Sequence, residues 1–106
     1  MKNEEFNIST EEIREGARFT LKGRVNSSNA EELQQKLEEA LNTGIKNIIL
    51  NMLRVEYLSS AGIRVILKIY KDVKVAGGKF GIEMPSQNVK NVLGMTALDE
   101  MLISNV

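Results

Sequence analysis

Cysteine and histidine are both absent from the 106 residues. Disulfides, thiolate chemistry, histidine acid–base catalysis and the usual zinc ligand sets are thereby excluded. Aspartate is scarce, at Asp72 and Asp99 alone, so the acidic side chains are mostly glutamates. Many stand in adjacent pairs, Glu4-Glu5, Glu11-Glu12, Glu31-Glu32 and Glu38-Glu39, which suit a solvated surface better than a catalytic dyad. Charge of one sign is also missing, because 14 basic and 14 acidic residues cancel. A neutral chain gives no global reason to expect direct nucleic-acid binding or attraction to an anionic membrane. No apolar run approaches the about 20 residues of a transmembrane helix. Met1-Lys2-Asn3-Glu4-Glu5 has no apolar core of signal-peptide type, so the expectation is cytoplasmic, without membrane insertion. Gly77-Gly78-Lys79 lacks the spacing of a phosphate-binding loop. The inventory points away from an enzyme and implies no cofactor and no metal.

What is present describes a mixed α/β domain. A chain of 106 residues, 42% hydrophobic and 26% charged, suits one domain over 1–106 with a single core. Phe6–Thr10 and Ala17–Lys22 alternate apolar and polar residues and predict two strands, with Glu15-Gly16 as the turn of an antiparallel hairpin. Gly23 should end the second strand. Ser28 with Glu31, or Asn29 with Glu32, has capping-box spacing before a helix bearing Ala30, Leu33, Leu37, Ala40 and Leu41 on one face. Gly44 can close that helix in a left-handed conformation. The apolar run Ile45–Leu53 reads as a central strand covered on both faces. A second helix carries Ile63, Ile66, Leu67, Tyr70 and Val73 as its stripe, with Val65, Ile69 and Val75 off it. That surplus fits burial on two sides or, more sharply, a partner-binding face. Gly77-Gly78 ends it, Lys79–Met84 forms the last core strand, and Pro85 stops that strand. Ser86 caps a third helix, Gly94 breaks it, and a short apolar helix follows. Such an order implies a mixed sheet of four to five strands, an antiparallel hairpin beside a parallel core, with about four helices.

The stretch Tyr57-Leu58-Ser59-Ser60-Ala61-Gly62-Ile63 lies at the turn from the central strand into the second helix. Serine is among the best N-cap residues, and an ordinary cap is the plain reading. The sharper reading is a phosphoserine switch, because free N–H groups and the positive dipole end of a helix favour an anion. A phosphate would add about −1.5 to −2 charges there. Arg64, between the apolar Ile63 and Val65, should face solvent.

Three stretches together resemble the STAS domain of the anti-sigma factor antagonists. They are Leu21–Leu33, with Gly23-Arg24-Val25-Asn26-Ser27-Ser28-Asn29; Ile48–Leu67, with the serine turn; and Ala76–Asp99. The resemblance covers about residues 6 to 104. It implies that the serine before the small residue and glycine, Ser60, is the target of a kinase using ATP, with Ser59 as the alternative acceptor. It further implies that the unmodified domain binds a switch-kinase anti-sigma factor and releases the sigma factor, and that a phosphatase resets the switch. The implied partner surface comprises Asn26, Ser27, Ser28, Ser59, Ser60, Ala61, Gly62, Ile63 and Arg64. The family often has Asp where this chain has Asn26, Asn51 and Ser59, three neutral residues expected near one end of the sheet. That departure keeps open a non-phosphorylated scaffold or a transporter-associated regulatory subunit. Asn51 also argues against a response-regulator receiver, which needs an acceptor Asp at a strand end.

Overall fold

The computed structural model describes residues 6–103. Strands β1 (Asn7–Ile13) and β2 (Gly16–Val25) form the antiparallel hairpin. Helix α1 (Ala30–Asn42) leads to β3 (Asn47–Leu58), then α2 (Ser60–Val75), β4 (Phe80–Glu83), α3 (Gln87–Met95) and α4 (Asp99–Leu102). The sheet order is β1-β2-β3-β4, with β2, β3 and β4 mutually parallel. The expected mixed sheet is thus observed with four strands and four helices among the described residues. No helix among them is long and apolar enough to cross a membrane.

Two glycines act differently from their sequence reading. The hairpin turns at Arg14-Glu15, and Glu15 takes the left-handed conformation at φ 62°. Gly16 instead begins β2, because a Cβ there would lie 2.8 Å from Asn47 Cβ and closer still to the Asn47 carbonyl. Gly23 does not end β2. It has φ 99° and sits at a register shift where β3 carries the extra residue Glu56, and β2 continues past it to Val25.

The core lies between one face of the sheet and the buried stripes of the helices. Ala17, Phe19, Leu21 and Val25 of β2, Ile48, Leu50 and Met52 of β3, and Phe80 and Ile82 of β4 point into it. The expectation that β3 is covered on both faces is overturned. Its alternate residues Asn47, Ile49 and Asn51 are only half-buried, and Leu53 is 51% exposed. A one-sided strand needs only alternate apolar residues, and the open face here mixes Ile49 and Leu53 with polar side chains. On that face Glu83 Oε2 accepts from Arg18 Nε at 2.7 Å and from Asn51 Nδ2 at 3.2 Å. Glu11 reaches the same guanidinium at 3.5 Å. The hydrogen bond and charge of Glu83, aided by Glu11, raise the Arg18 pKa, so this guanidinium stays charged.

Helix α2 buries Val65, Ile66, Ile69 and Val73, while Ile63, Leu67 and Tyr70 are half-buried. Its core face is therefore rotated from the expected stripe, because α2 packs against α1 as well as the sheet. Val75 is 90% exposed and belongs to neither contact. Ser86 caps α3 by accepting from Val89 N, and its hydroxyl also donates to the Val55 carbonyl at 2.6 Å. With Asn88 Nδ2 donating to Glu56 O at 2.7 Å, this ties the start of α3 to the part of β3 that β4 leaves unpaired.

Candidate functional site

At the carboxyl end of the parallel strands, Val25 pairs with Leu58, and Ser59 N donates to Val25 O at 2.9 Å. That bond sets the Asn26–Asn29 loop beside the serine turn. The loop is fastened by its own amides. Asn26 Oδ1 accepts from Ser28 N at 2.9 Å and Ser28 Oγ at 2.7 Å, an Asx-type turn. Asn29 Oδ1 accepts from Asn26 N at 3.0 Å, and its Nδ2 donates to Arg24 O at 2.9 Å. Asn29 occupies the N-cap position of α1 without a side-chain cap bond, so neither capping box forms. The amide has been spent inside the loop. Ser27 and Ser28 remain exposed.

The two serines of the turn divide two tasks. Ser59 is the N-cap of α2: its backbone is extended, at φ −82° and ψ 171°, and its Oγ accepts from Gly62 N at 3.2 Å. Its carbonyl accepts from Ile63 N at 3.0 Å, the first bond of the helix. Ser60 is the first helical residue and is exposed, and its hydroxyl has no hydrogen-bond partner among the described residues. Removing the cap hydroxyl by Ser59→Ala should cost about 1 kcal/mol of stability. Ser60→Ala, at an exposed position, should stay within about 0.5 kcal/mol. Urea denaturation of the two variants checks the assignment, and equal losses would overturn it.

The residues that follow Ser60 fix how the turn meets the core. Gly62 is buried, and a Cβ on it would lie 2.7 Å from Val25 Cγ1 and 2.8 Å from Leu58 Cδ1. Glycine thus lets the first turn of α2 rest directly on the two strand ends. Ala61 and Ile63 are half-buried and pack on the core, whereas Arg64 is exposed, as its position between Ile63 and Val65 suggested. The first turn of α2 contains no acidic residue, so its positive end is uncompensated on its own element.

Asn26 and Ser59 therefore lie side by side, but Asn51 does not join them. It sits within β3 opposite Thr20 and Glu83, and its Oδ1 accepts from Leu53 N at 3.1 Å. That bond satisfies a backbone N–H where β3 bulges between Thr20 and Lys22, so Asn51 has a structural task away from the turn. One pair near the turn was missed in the sequence. Arg24 lies over the Tyr57 ring at 4.6 Å from its centroid, and both side chains are exposed. Their positions immediately before Val25-Asn26 and Leu58-Ser59 were the available signal, but two bulges hid the cross-strand register.

A shallow groove of about 290 Å³ runs between the starts of α1 and α2, where Glu31 and Gln34 face Ala61, Arg64 and Lys68. A wider cleft of about 660 Å³ lies at the opposite, amino end of the strands, lined by Glu12, Glu15, Lys46, Asn47 and Lys79 among others. Among the described residues no three acidic side chains gather as a metal site would require.

The family model for the STAS domain matches residues 7–106. The chain belongs to the STAS-domain family. One relative, BtrV of Bordetella bronchiseptica, is called an anti-sigma factor antagonist and is 39% identical over 59 residues. That match spans 56% of this chain and 51% of BtrV, so the chain covers about half the length of that relative. A Thermotoga neapolitana protein called by the same function is 37% identical over 65 residues, spanning 61% of this chain and 58% of its own. Among solved structures, the Thermotoga maritima protein TM1081 is 26% identical with a TM-score of 0.85, covering 91% of this chain and 83% of its own. Unphosphorylated SpoIIAA superposes with a TM-score of 0.82 over 94% of this STAS domain and 89% of its own chain. At 19% identity that likeness shows the fold alone.

Proposed function

We propose that this STAS domain is an anti-sigma factor antagonist whose docking surface is the serine turn with the Asn26–Asn29 loop, switched by phosphorylation of Ser60. The observation that carries the reading is the division of labour between the two serines. Ser59 holds the helix cap, which leaves the Ser60 hydroxyl exposed and unbonded at the positive end of α2. The names of the relatives, BtrV among them, support the antagonist role. In this reading the unmodified domain binds an anti-sigma factor kinase and frees its sigma factor. The kinase moves the γ-phosphoryl of ATP onto Ser60 Oγ, the hydroxyl loses its proton and ADP leaves; a phosphatase reverses the state by hydrolysis. The domain itself performs no catalysis and works in the cytoplasm.

The phosphate fits the dipole of α2 inside the domain but opposes a docked partner through added charge and desolvation. Incubation with the cognate kinase and ATP should add one phosphate to the wild-type chain. Intact-mass analysis should show it lost in Ser60→Ala and retained in Ser59→Ala. Phosphate mapped to Ser59, or none from a kinase that binds, would overturn Ser60 as the acceptor. The second outcome would favour the non-phosphorylated scaffold.

A further inference from the structure

We infer that Arg64 is the built-in counter-ion of a phosphate on Ser60, so that modification withdraws this guanidinium from the docking surface as it adds negative charge. The inference rests on the reading of Ser60 as the modified residue. Ser60 and Arg64 stand four residues apart on α2, one turn above the other on the same face. Both are exposed. The acid would be on the amino-terminal side of the base, the favourable order for such a pair.

Arg64 is available for the task. It takes part in no ion pair among the described residues, whereas Lys68, one turn further on, is held by Asp72 at 2.9 Å and Glu38 at 3.2 Å. The hydrogen bond that Lys68 donates to Asp72, then that to Glu38, raises the Lys68 pKa, so its charge is already engaged. Arg24 is occupied over Tyr57. Of the acidic groups on neighbouring elements, Glu31 of α1 lines the same groove and is the competitor for Arg64. It carries one charge where a phosphoserine carries nearly two, and a guanidinium grips phosphate with paired N–H donors. The phosphate therefore wins the arginine.

The test installs phosphoserine at position 60 during translation, so it does not depend on any kinase. The second ionisation of the phosphate is then followed by ³¹P NMR against pH. With Arg64 present that pKa should lie about half a unit below its value in Arg64→Gln, since a nearby cation favours the dianion. Arg64→Lys should fall between the two, and 0.5 M salt should shrink the difference, with ~0.5 M already compressing the Debye length severely. Lys68→Gln should leave the pKa unchanged. Equal values in wild type and Arg64→Gln, both folded by circular dichroism, would overturn the inference. So would a shift in Lys68→Gln that matches or exceeds the one in Arg64→Gln. Failure of a kinase to modify Ser60 would instead count against the proposed function and leave this result standing.

Discussion

Ser60→Asp is expected to fold as stably as the wild type and yet bind the anti-sigma factor proposed as its partner at least tenfold more weakly. The two halves of that expectation have separate causes. A carboxylate at the first position of α2 faces the positive helix end with no acid nearby on the same turn, which is worth about 0.3–1 kcal/mol in favour of the fold. In the complex the same charge must be desolvated against the partner, and a loss of about 1.4 kcal/mol already weakens binding tenfold. Ser60→Ala should bind as the wild type does, because the Ser60 hydroxyl makes no hydrogen bond among the described residues that its loss would break. Had Ser60 been the cap, Ala would destabilise, Asp would restore, and affinity would follow stability. The structure gives the cap to Ser59, so affinity and stability should part company at Ser60. Titration calorimetry with the partner and a thermal melt of each variant decide it. An Asp variant that binds at wild-type strength would end the switch reading.

How much of this was legible in the chain depends on how local the deciding forces are. The hairpin and the helices could be read because alternation and three-to-four spacing report one buried face directly. The length of β3 could not, because it carries two bulges against β2 that break the alternation after Asn51. The apolar run there suggested two covered faces, whereas Leu53 is exposed and its N–H is satisfied by Asn51. Residue type also failed to separate Ser59 from Ser60, since both are good caps. What separates them is the hydrogen bond from Ser59 N to Val25 O, a contact 34 positions apart in sequence that fixes where the strand ends and the helix begins. The same contact sets the Asn26 loop beside the turn, the convergence at one end of the sheet that right-handed crossovers imply, whereas the individual hydrogen bonds within that surface were not readable. Asn29 shows the opposite case: a good capping residue whose amide is taken by Asn26 N and Arg24 O.

The Gly77-Gly78 pair carries the largest expected effect on stability, and the two glycines should respond very differently to alanine. Both close α2: Gly77 N donates to Lys74 O at 3.1 Å, and Gly78 N to Val73 O at 2.9 Å, the paired bonds of a Schellman ending. Gly77 has φ +84° with open space around it, so Gly77→Ala meets only backbone strain of about 1–2 kcal/mol. Gly78 has no such torsion but no room either. A Cβ there would lie 2.7 Å from the Lys46 carbonyl carbon and closer still to its oxygen. Backbone cannot rotate aside as a side chain can, so the entry to β4 must move away from β3. That movement strains the bond from Ile48 N to Lys79 O, 2.9 Å, and the one from Lys79 N to Asn47 Oδ1, 3.0 Å. Gly78→Ala should therefore cost about 3 kcal/mol or more, the upper end for an overpacked site. In a domain of this size that lowers the melting temperature by roughly 12 °C or more. The disturbed contacts lie at the amino end of the strands, away from the serine turn, so the folded fraction should keep its partner affinity. Urea midpoints of the two variants give the comparison. A Gly78→Ala protein no less stable than Gly77→Ala would show that the close approach of Gly78 to Lys46 is not a constraint on the fold.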